Sequence, residues 1–256
     1  MFRTAIRRMS SHMADPMRVE SLLSVEERML SDAARAFCEQ ELRPHVRQNY
    51  RAGTFDKNIL RTMGGAGLLG ATLNGASYNG YGVIAREVER IDSSYRSALS
   101  VQSSLVMYPI DAFGSEEQKQ RYLPLLKSGE CVGCFGLTEP NHGSDPSGME
   151  TRATRLKDGT YEISGSKHWI TNAPIADLLL VWARDTSDNV IRGFLLDRDL
   201  DGIETPAIEG KLSLRASATG TIFLDQVRVP STAVLPGVVG LRGPFSCLNH
   251  ARFGIA

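Results

Sequence analysis

The first half of the chain repeats apolar residues at the three- and four-residue spacing of amphipathic helices. Ser24 and Ser115 each begin a capping box, because a Glu or Gln follows three residues later. Pro44 predicts a break or bend in the first long helix, since proline cannot donate a helical hydrogen bond. Helices are predicted from residue 24, from residue 56, over 82–92, over 95–108 and over 116–129. We therefore expect an all-helical domain over residues 15–130.

The period changes to that of β-strands from Cys131 onward. Asp158-Gly159, between two apolar segments, predicts a tight hairpin. Several short strands at close spacing favour an antiparallel barrel or sandwich, which we place at residues 131–237. The predicted strands cover residues 131–137, 151–157, 161–164, 167–171, 177–184, 192–197 and 221–229. The predicted fold class is therefore α+β, with an N-terminal helical domain followed by an antiparallel β domain.

Residues 238–256 form a third region, which follows the break at Pro236-Gly237. A helix is predicted from Pro244, and its apolar pattern is still running at Ala256 without a glycine cap or a closing proline. We expect this helix to be the start of a truncated C-terminal helical bundle.

Composition excludes several classes of function. The 256 residues carry 29 basic and 29 acidic side chains, so no net charge points to nucleic acid or to an anionic membrane. The longest apolar run, residues 178–183, is too short to span a bilayer. Cys131 and Cys134 form a CxxC pair, but a zinc site would need a second pair of ligands at suitable spacing. We expect four reduced, buried or partly buried thiols and no metal site.

The segment Gly64 to Gly70 contains GxGxxG, the pattern of a dinucleotide-binding turn. That fingerprint requires a strand before the glycines and a helix after them. A helix precedes this segment and a polar loop follows it, so the glycines are interpreted as a helix stop and turn.

The N-terminal residues 1–14 contain Arg3, Arg7 and Arg8, together with serines, and have no acidic residue. This composition is typical of a mitochondrial presequence and predicts a location in the mitochondrial matrix. The alternative is a disordered basic tail without an address function.

The candidate chemistry centres on the segment from Cys134 to Asp145, CFGLTEPNHGSD. An apolar strand ends at Pro140, and the glycine, serine and asparagine residues after it favour a loop that can approach a phosphate. The alternative is an ordinary strand followed by a polar loop. The segment resembles the flavin-binding segment of the acyl-CoA dehydrogenases, with His142 where that family usually has a small residue.

Two further segments carry the same resemblance, which covers residues 21–256. Lys167 to Asn172, KHWITN, resembles the second flavin segment, and Arg215 to Gly220 resembles the loop before the last strand. The resemblance implies FAD as the cofactor, although Trp169 taken alone is also consistent with a core aromatic. The cofactor-binding residues that it implies are Phe135, Gly136, Leu137, Thr138, Glu139, Pro140, Asn141, His142, Gly143, Ser144, Trp169, Ile170 and Thr171.

Within that family the sequence is most similar to the glutaryl-CoA dehydrogenases, on residues 95–106 and 245–252. An arginine on an apolar helix, such as Arg96, suits a dicarboxylic acyl chain, because guanidinium binds carboxylate in a two-pronged geometry. The alternative is an ion pair with Asp92 or Glu89. The substrate-binding residues implied are Arg96, Ser97, Ser100, Ser144, Phe245, Ser246, Cys247, Leu248, Asn249, His250, Ala251 and Arg252.

The resemblance implies oxidative decarboxylation of glutaryl-CoA to crotonyl-CoA, with electrons passing to electron-transfer flavoprotein. It also implies a homotetramer when full length. The family's catalytic base is a Glu in a C-terminal Tyr-Glu-Gly segment, and this sequence contains no such segment, so no catalytic residue is assigned. We therefore expect the chain alone to be inactive, poorly soluble and weak in holding FAD.

Three alternatives stay open at the level of the sequence. The chain is a non-catalytic short product that binds acyl-CoA or a partner subunit, or it is an acyl-CoA dehydrogenase with another chain-length preference. The third alternative is a generic interaction module built from helices and a β domain.

Overall fold

The computed structural model describes residues 18–255, so the predicted targeting segment, residues 1–14, and Ala256 lie outside the described part. Both predicted capping boxes are confirmed, with Ser24 accepting from Glu27 N–H and Ser115 accepting from Gln118 N–H. The helices within the described part are α1 (Val19–Leu22), α2 (Val25–Phe37), α3 (Arg43–Ala52), α4 (Asn58–Gly65), α5 (Tyr78–Glu89), α6 (Ser93–Ser100), α7 (Tyr108–Phe113), α8 (Glu116–Ser128) and α9 (Arg242–Phe253).

Two pairs of helices are joined by a π-helical turn instead of a loop. Cys38–Leu42 joins α2 to α3, and Val101–Met107 joins α6 to α7. The break predicted at Pro44 is therefore a local widening of the helix just before the proline, which lies in the first turn of α3. Such π-turns occur frequently at functional sites.

The glycine-rich segment ends a helix, as predicted. Helix α4 ends at Gly65, and Gly67 and Gly70 have φ angles of 72° and 63°, which favour glycine. A short 3₁₀ turn, Ala71–Asn74, follows. The segment therefore lies between two helical elements, which is not the context of a dinucleotide-binding turn.

The β domain contains a seven-stranded sheet with the order β1-β4-β2-β3-β7-β6, and β5 also pairs with β4. Strand β4 is parallel to β1 and to β2, whereas the other pairings are antiparallel. The sheet is thus mixed, and not purely antiparallel as expected. The strands are β1 (Gly133–Gly136), β2 (Arg152–Arg155), β3 (Tyr161–Thr171), β4 (Leu178–Asp185), β5 (Ile191–Asp197), β6 (Ile203–Glu204) and β7 (Thr219–Val229).

Strand β3 replaces two strands that the sequence predicted separately. The hairpin at Asp158-Gly159 is confirmed between β2 and β3, and Gly159 has a φ angle of 86°. Its turn has three residues instead of two, since Leu156 N–H donates to the carbonyl oxygen of Thr160 at 2.8 Å.

The helical domain packs on one face of the sheet. Val106, Ile110 and Tyr122 from the helices form one buried cluster with Leu180 and Trp182 from β4. Cys247 brings α9 into the same cluster, so the last helix lies beside the junction of the two domains. Within residues 18–255, no helix combines the length and the apolar character that a membrane span requires.

The cysteines should react slowly with thiol reagents in the folded protein. All four are free and buried, and burial raises the pKa of the thiols of Cys38, Cys131 and Cys247 to about 12. Because the thiolate is the reactive form, an aromatic disulfide reagent at mildly alkaline pH should modify almost none of them within minutes. After unfolding in guanidinium chloride, all four should react. Fast modification of Cys131 and Cys134 in the native protein would contradict this expectation.

Candidate functional site

A cavity of about 330 Å³ lies where the carboxyl end of β1 meets the helical domain. Two predicted loops form its walls, together with the π-turn after α6 and one face of α9. Val101, Leu105 and Pro146 also line it, although the sequence did not point to them. The predicted residues that line it are Phe135, Leu137, Thr138, Gly143, Ser144, Trp169, Ile170, Thr171, Phe245, Leu248 and Arg252.

Trp169 lies on the cavity wall in an unusual backbone conformation. Its φ angle is 60°, a rare value for a bulky residue, and 58% of its surface is exposed. The pairing of β3 with β7 shifts register between Lys167 and Ile170, so the indole is carried on a β-bulge. His168 N–H donates to the carbonyl oxygen of Thr138 at 2.8 Å, which holds the bulge against the other wall.

Asn172 ends the strand that carries the bulge, and sequence reasoning did not single it out as a site residue. Its φ angle is 69°, a conformation that asparagine tolerates better than most residues. The buried amide donates to the carbonyl oxygen of Gly133 at 3.2 Å, and the backbone N–H donates to Ala218 at 2.6 Å. These bonds fix the neighbouring Thr171 on the cavity wall.

The cavity presents hydroxyl groups that are free to bind a ligand. Within residues 18–255, the hydroxyls of Thr138, Ser144 and Thr171 have no hydrogen-bond partner. The loop that carries Ser144 is held by a turn in which the backbones of Glu139 and His142 exchange two hydrogen bonds of 3.2 Å. Hydroxyls beside an exposed indole and apolar side chains match a flat heteroaromatic ligand with polar edges.

Five residues of the predicted flavin set lie off the cavity wall. Glu139 points inward and is buried, with its carboxylate 2.8 Å from Lys167 Nζ. His142 packs against Gly148, and its Nε2 lies 3.5 Å from the carboxylate of Glu150. The other residues of this group are Gly136, Pro140 and Asn141.

The predicted substrate residues on α9 divide by helical face. Phe245, Leu248 and Arg252 line the cavity. His250 lies against Tyr108, with 3.7 Å between the ring centroids. Ser246, Cys247, Asn249 and Ala251 lie off the cavity: Cys247 and Ala251 are buried in the packing of the helix, and Ser246 and Asn249 contact Gly243 and Arg252.

Arg96 lines a separate cavity of about 530 Å³, to which the C-terminal end of α9 contributes. Its side chain is only 14% exposed, and the guanidinium lies 2.7 Å from the carboxylate of Glu89, which is one of the two ion pairs that the sequence allowed. Burial opposes the ionisation of Glu89, but hydrogen bonds from Ser93 and Arg96 outweigh it and lower the pKa of the carboxyl. Ser97 and Ser100 lie on the same helix and do not line this cavity.

The arginines of this second cavity are each paired with a carboxylate. Arg86, Arg90 and Arg96 line it together with Glu89, which pairs with Arg96. Arg86 and Arg90 lie 3.1 and 3.6 Å from the buried carboxylate of Glu87. The remaining surface is largely apolar and includes Phe253 of α9. Such a cavity suits a short apolar chain, whose anionic end would compete with Glu89 for Arg96.

The sequence matches two domains of one protein family. Residues 24–130 match "Acyl-CoA dehydrogenase, N-terminal domain", and residues 134–227 match "Acyl-CoA dehydrogenase, middle domain". Short-chain specific acyl-CoA dehydrogenase, mitochondrial, from Homo sapiens is 34% identical over 239 residues, which are 89% of this chain and 58% of that protein.

Two solved structures show the same fold at high similarity. A glutaryl-CoA dehydrogenase from Mycobacterium smegmatis in complex with FADH2 has a TM-score of 0.91 and 43% identity, over 93% of this chain and 62% of the other. Butyryl-CoA dehydrogenase from Megasphaera elsdenii has a TM-score of 0.85 and 32% identity, over 91% and 64%. The chain thus spans roughly three fifths of the length of these relatives.

Proposed function

Because the chain belongs to the acyl-CoA dehydrogenase family, of which it carries the N-terminal and middle domains, we propose that its 330 Å³ cavity binds the flavin of FAD and serves the α,β-dehydrogenation of an acyl-CoA ester. The observation that carries this proposal is the β-bulge at Trp169. The backbone of Trp169 is strained, and its exposed indole lies on the same cavity as hydroxyls that have no hydrogen-bond partner within the described residues.

The residues of the cavity fit a flavin. Phe135 and Leu137 supply an apolar wall for the ring system, and the indole of Trp169 supplies a flat surface for stacking. The hydroxyl of Thr171 can donate to a nitrogen at the ring edge, and the hydroxyl of Ser144 can bind a phosphate oxygen. FAD, when bound, supplies the acceptor for the hydride that leaves the β-carbon of the substrate.

The described residues bind and orient, and we assign no proton transfer to them. The lining of the cavity within residues 18–255 includes no aspartate or glutamate that could take the α-proton. Phe245 and Leu248 supply apolar surface on the side of the cavity next to α9. Arg252 places a positive charge on the same side, where an anionic group of the ligands can be held.

As the substrate we propose a dicarboxylic acyl-CoA, namely glutaryl-CoA. The nearly buried Arg96 in a largely apolar cavity supports an acyl chain with a terminal carboxylate, which would take the place of Glu89. The similarity to a solved glutaryl-CoA dehydrogenase supports the same substrate. One observation favours the alternative, an acyl-CoA dehydrogenase for monocarboxylic chains, because Glu89 already neutralises Arg96.

The remaining assignments rest on the family resemblance. We propose electron-transfer flavoprotein as the electron acceptor, a homotetramer as the assembly of the full-length protein, and the mitochondrial matrix as its location. The Arg-rich composition of residues 1–14 supports that location.

The proposed flavin site is tested by titrating FAD with the protein and following the flavin fluorescence. Trp169→Ala should weaken FAD binding about tenfold, since an indole stacked on an aromatic ring contributes about 1 kcal/mol beyond its buried area and apolar contact is lost as well. The matched control is Phe223→Ala, which removes another exposed aromatic of the same sheet away from the cavity and should leave the affinity unchanged. Equal losses in both variants, or no saturable binding by the unmodified protein, would contradict the proposal.

A further inference from the structure

A buried ion pair lies directly behind the cavity. The side chain of Lys167 is fully buried, and its Nζ lies 2.8 Å from Glu139 Oε1 and 3.2 Å from the carbonyl oxygen of Leu137. Neither charged side chain lines the cavity. A well-packed apolar pair could replace such a buried ion pair with little loss of stability, so stability alone does not account for its presence.

The hydrogen bonds of this pair join three segments of the chain. The carboxylate of Glu139 also accepts the backbone N–H groups of Glu150, at 2.6 Å, and Thr151, at 2.9 Å. The pair therefore connects the loop after β1, the start of β2 and the part of β3 that leads into the bulge. Two of these segments are the opposite walls of the cavity.

The aliphatic part of the Lys167 side chain is also packed tightly. It packs against β1 at Gly136, where a Cβ atom would lie 3.2 Å from Lys167 Cγ. The next residue, His168, bonds the carbonyl oxygen of Thr138, and Trp169 follows it on the cavity wall. A shift of the amine would therefore move the indole relative to Leu137 and Thr138.

We propose that Lys167 and Glu139 are positioning residues, which fix the distance between the wall at Leu137 and Thr138 and the wall at Trp169 and thereby set the affinity for flavin. This inference rests on the proposed flavin site. It gives Glu139 a different role from the direct cofactor contact that the family resemblance implied. A site that is held about 1 Å too loosely loses much of its binding, because the ligand must then pay for ordering it.

The ionisation of the pair is consistent with this role. Burial lowers the pKa of the Lys167 amine to about 8, against the attraction of Glu139. Burial opposes the ionisation of Glu139, but Lys167 and the backbone N–H groups outweigh it and lower the pKa of the carboxyl. Both groups are therefore charged at neutral pH.

The test separates positioning from stability with a double variant. Lys167→Met alone leaves a buried carboxylate without its partner and should lower both the melting temperature and the FAD affinity. Lys167→Met combined with Glu139→Gln removes both charges and should restore most of the melting temperature. The FAD affinity of the double variant should stay about tenfold weaker, because the anchor at the carbonyl oxygen of Leu137 is still missing.

A second measurement follows the indole without FAD. Trp182 is fully buried, so acrylamide quenches mainly the fluorescence of Trp169, and the quenching constant should rise in the double variant. The control is the double variant Asp185→Asn with Arg192→Met. It removes another ion pair of the same sheet, in which the guanidinium of Arg192 lies 3.1 Å from the buried carboxylate of Asp185, away from the cavity. It should change the melting temperature and leave both the FAD affinity and the quenching of Trp169 unchanged.

The outcomes decide whether the ion pair positions the cavity walls or only stabilises the fold. If the double variant regains the native FAD affinity together with its stability, the pair is purely structural and the inference is wrong. If the unmodified protein binds no FAD, the proposed function fails, and the quenching of Trp169 still decides on positioning. Unchanged quenching in a folded double variant would overturn the inference in that case.

Discussion

Replacing Arg96 with alanine is expected to weaken the binding of glutaryl-CoA about 100-fold, because truncating one member of a desolvated charge pair typically costs about 2–5 kcal/mol. The affinity for butyryl-CoA should change only a few-fold, roughly the scale of a lost packing contact, since this ester has no second carboxylate. The side chain of Arg96 is 14% exposed, so solvent would screen its attraction for a carboxylate only in part. Isothermal titration of the two esters gives the ratio of the dissociation constants directly.

Arg90→Ala is the matched control for this prediction. Arg90 lines the same cavity but is 60% exposed, and an exposed charge at the rim of a site contributes little to affinity. It should therefore change the affinity for glutaryl-CoA by only a few-fold, roughly the effect of an exposed ion pair. Equal losses on both esters in Arg96→Ala would instead mean that Arg96 acts through its ion pair with Glu89, as a part of the fold.

The sequence predicted those helix ends that depend on local chemistry. The capping boxes at Ser24 and Ser115 each act within one turn of the chain, so the residues of that turn specify them. The π-turn at Val101–Met107 was not predicted, because its wider hydrogen-bonded turn is accommodated by packing against β1, which is distant in the sequence. The same limit applies to β4, whose parallel partners are separated from it by long stretches of sequence.

The site was predictable only in part, because some of its features depend on packing between segments that are distant in the sequence. The resemblance of the two loops to the flavin segments of the acyl-CoA dehydrogenases assigned Thr138, Ser144 and Trp169 to one site, and all three line one cavity. Their support was not predictable: the burial of Lys167 depends on the register of β3 against β7 and on the loop after β1, which no local pattern specifies. Gly136 likewise gave no sign that the lysine stem packs against it.

In the glycine pair Gly64-Gly65 at the end of α4, one glycine allows close helix packing. The sequence could not distinguish this role from that of ending the helix. Gly64 lies where α4 crosses the end of α8, and a Cβ atom there would overlap the carbonyl group of Ser128. Gly129, at the end of α8, is equally close to the carbonyl group of Leu60 in α4. Gly64 and Gly129 thus allow the backbones of α4 and α8 to touch. Gly65, the next residue, has open space at the position of a Cβ atom.

Gly64→Ala is therefore expected to destabilise the protein by about 3 kcal/mol, because the added methyl group meets backbone atoms that can move only if the helices separate. For a chain of this size the melting temperature should fall by about 6–12 °C. Gly65→Ala is the matched control and should be neutral or stabilising by up to about 1 kcal/mol, since alanine restricts the unfolded chain and favours the helix. Thermal unfolding followed by circular dichroism measures both variants, and similar melting temperatures would show that the crossing of α4 and α8 can open without cost.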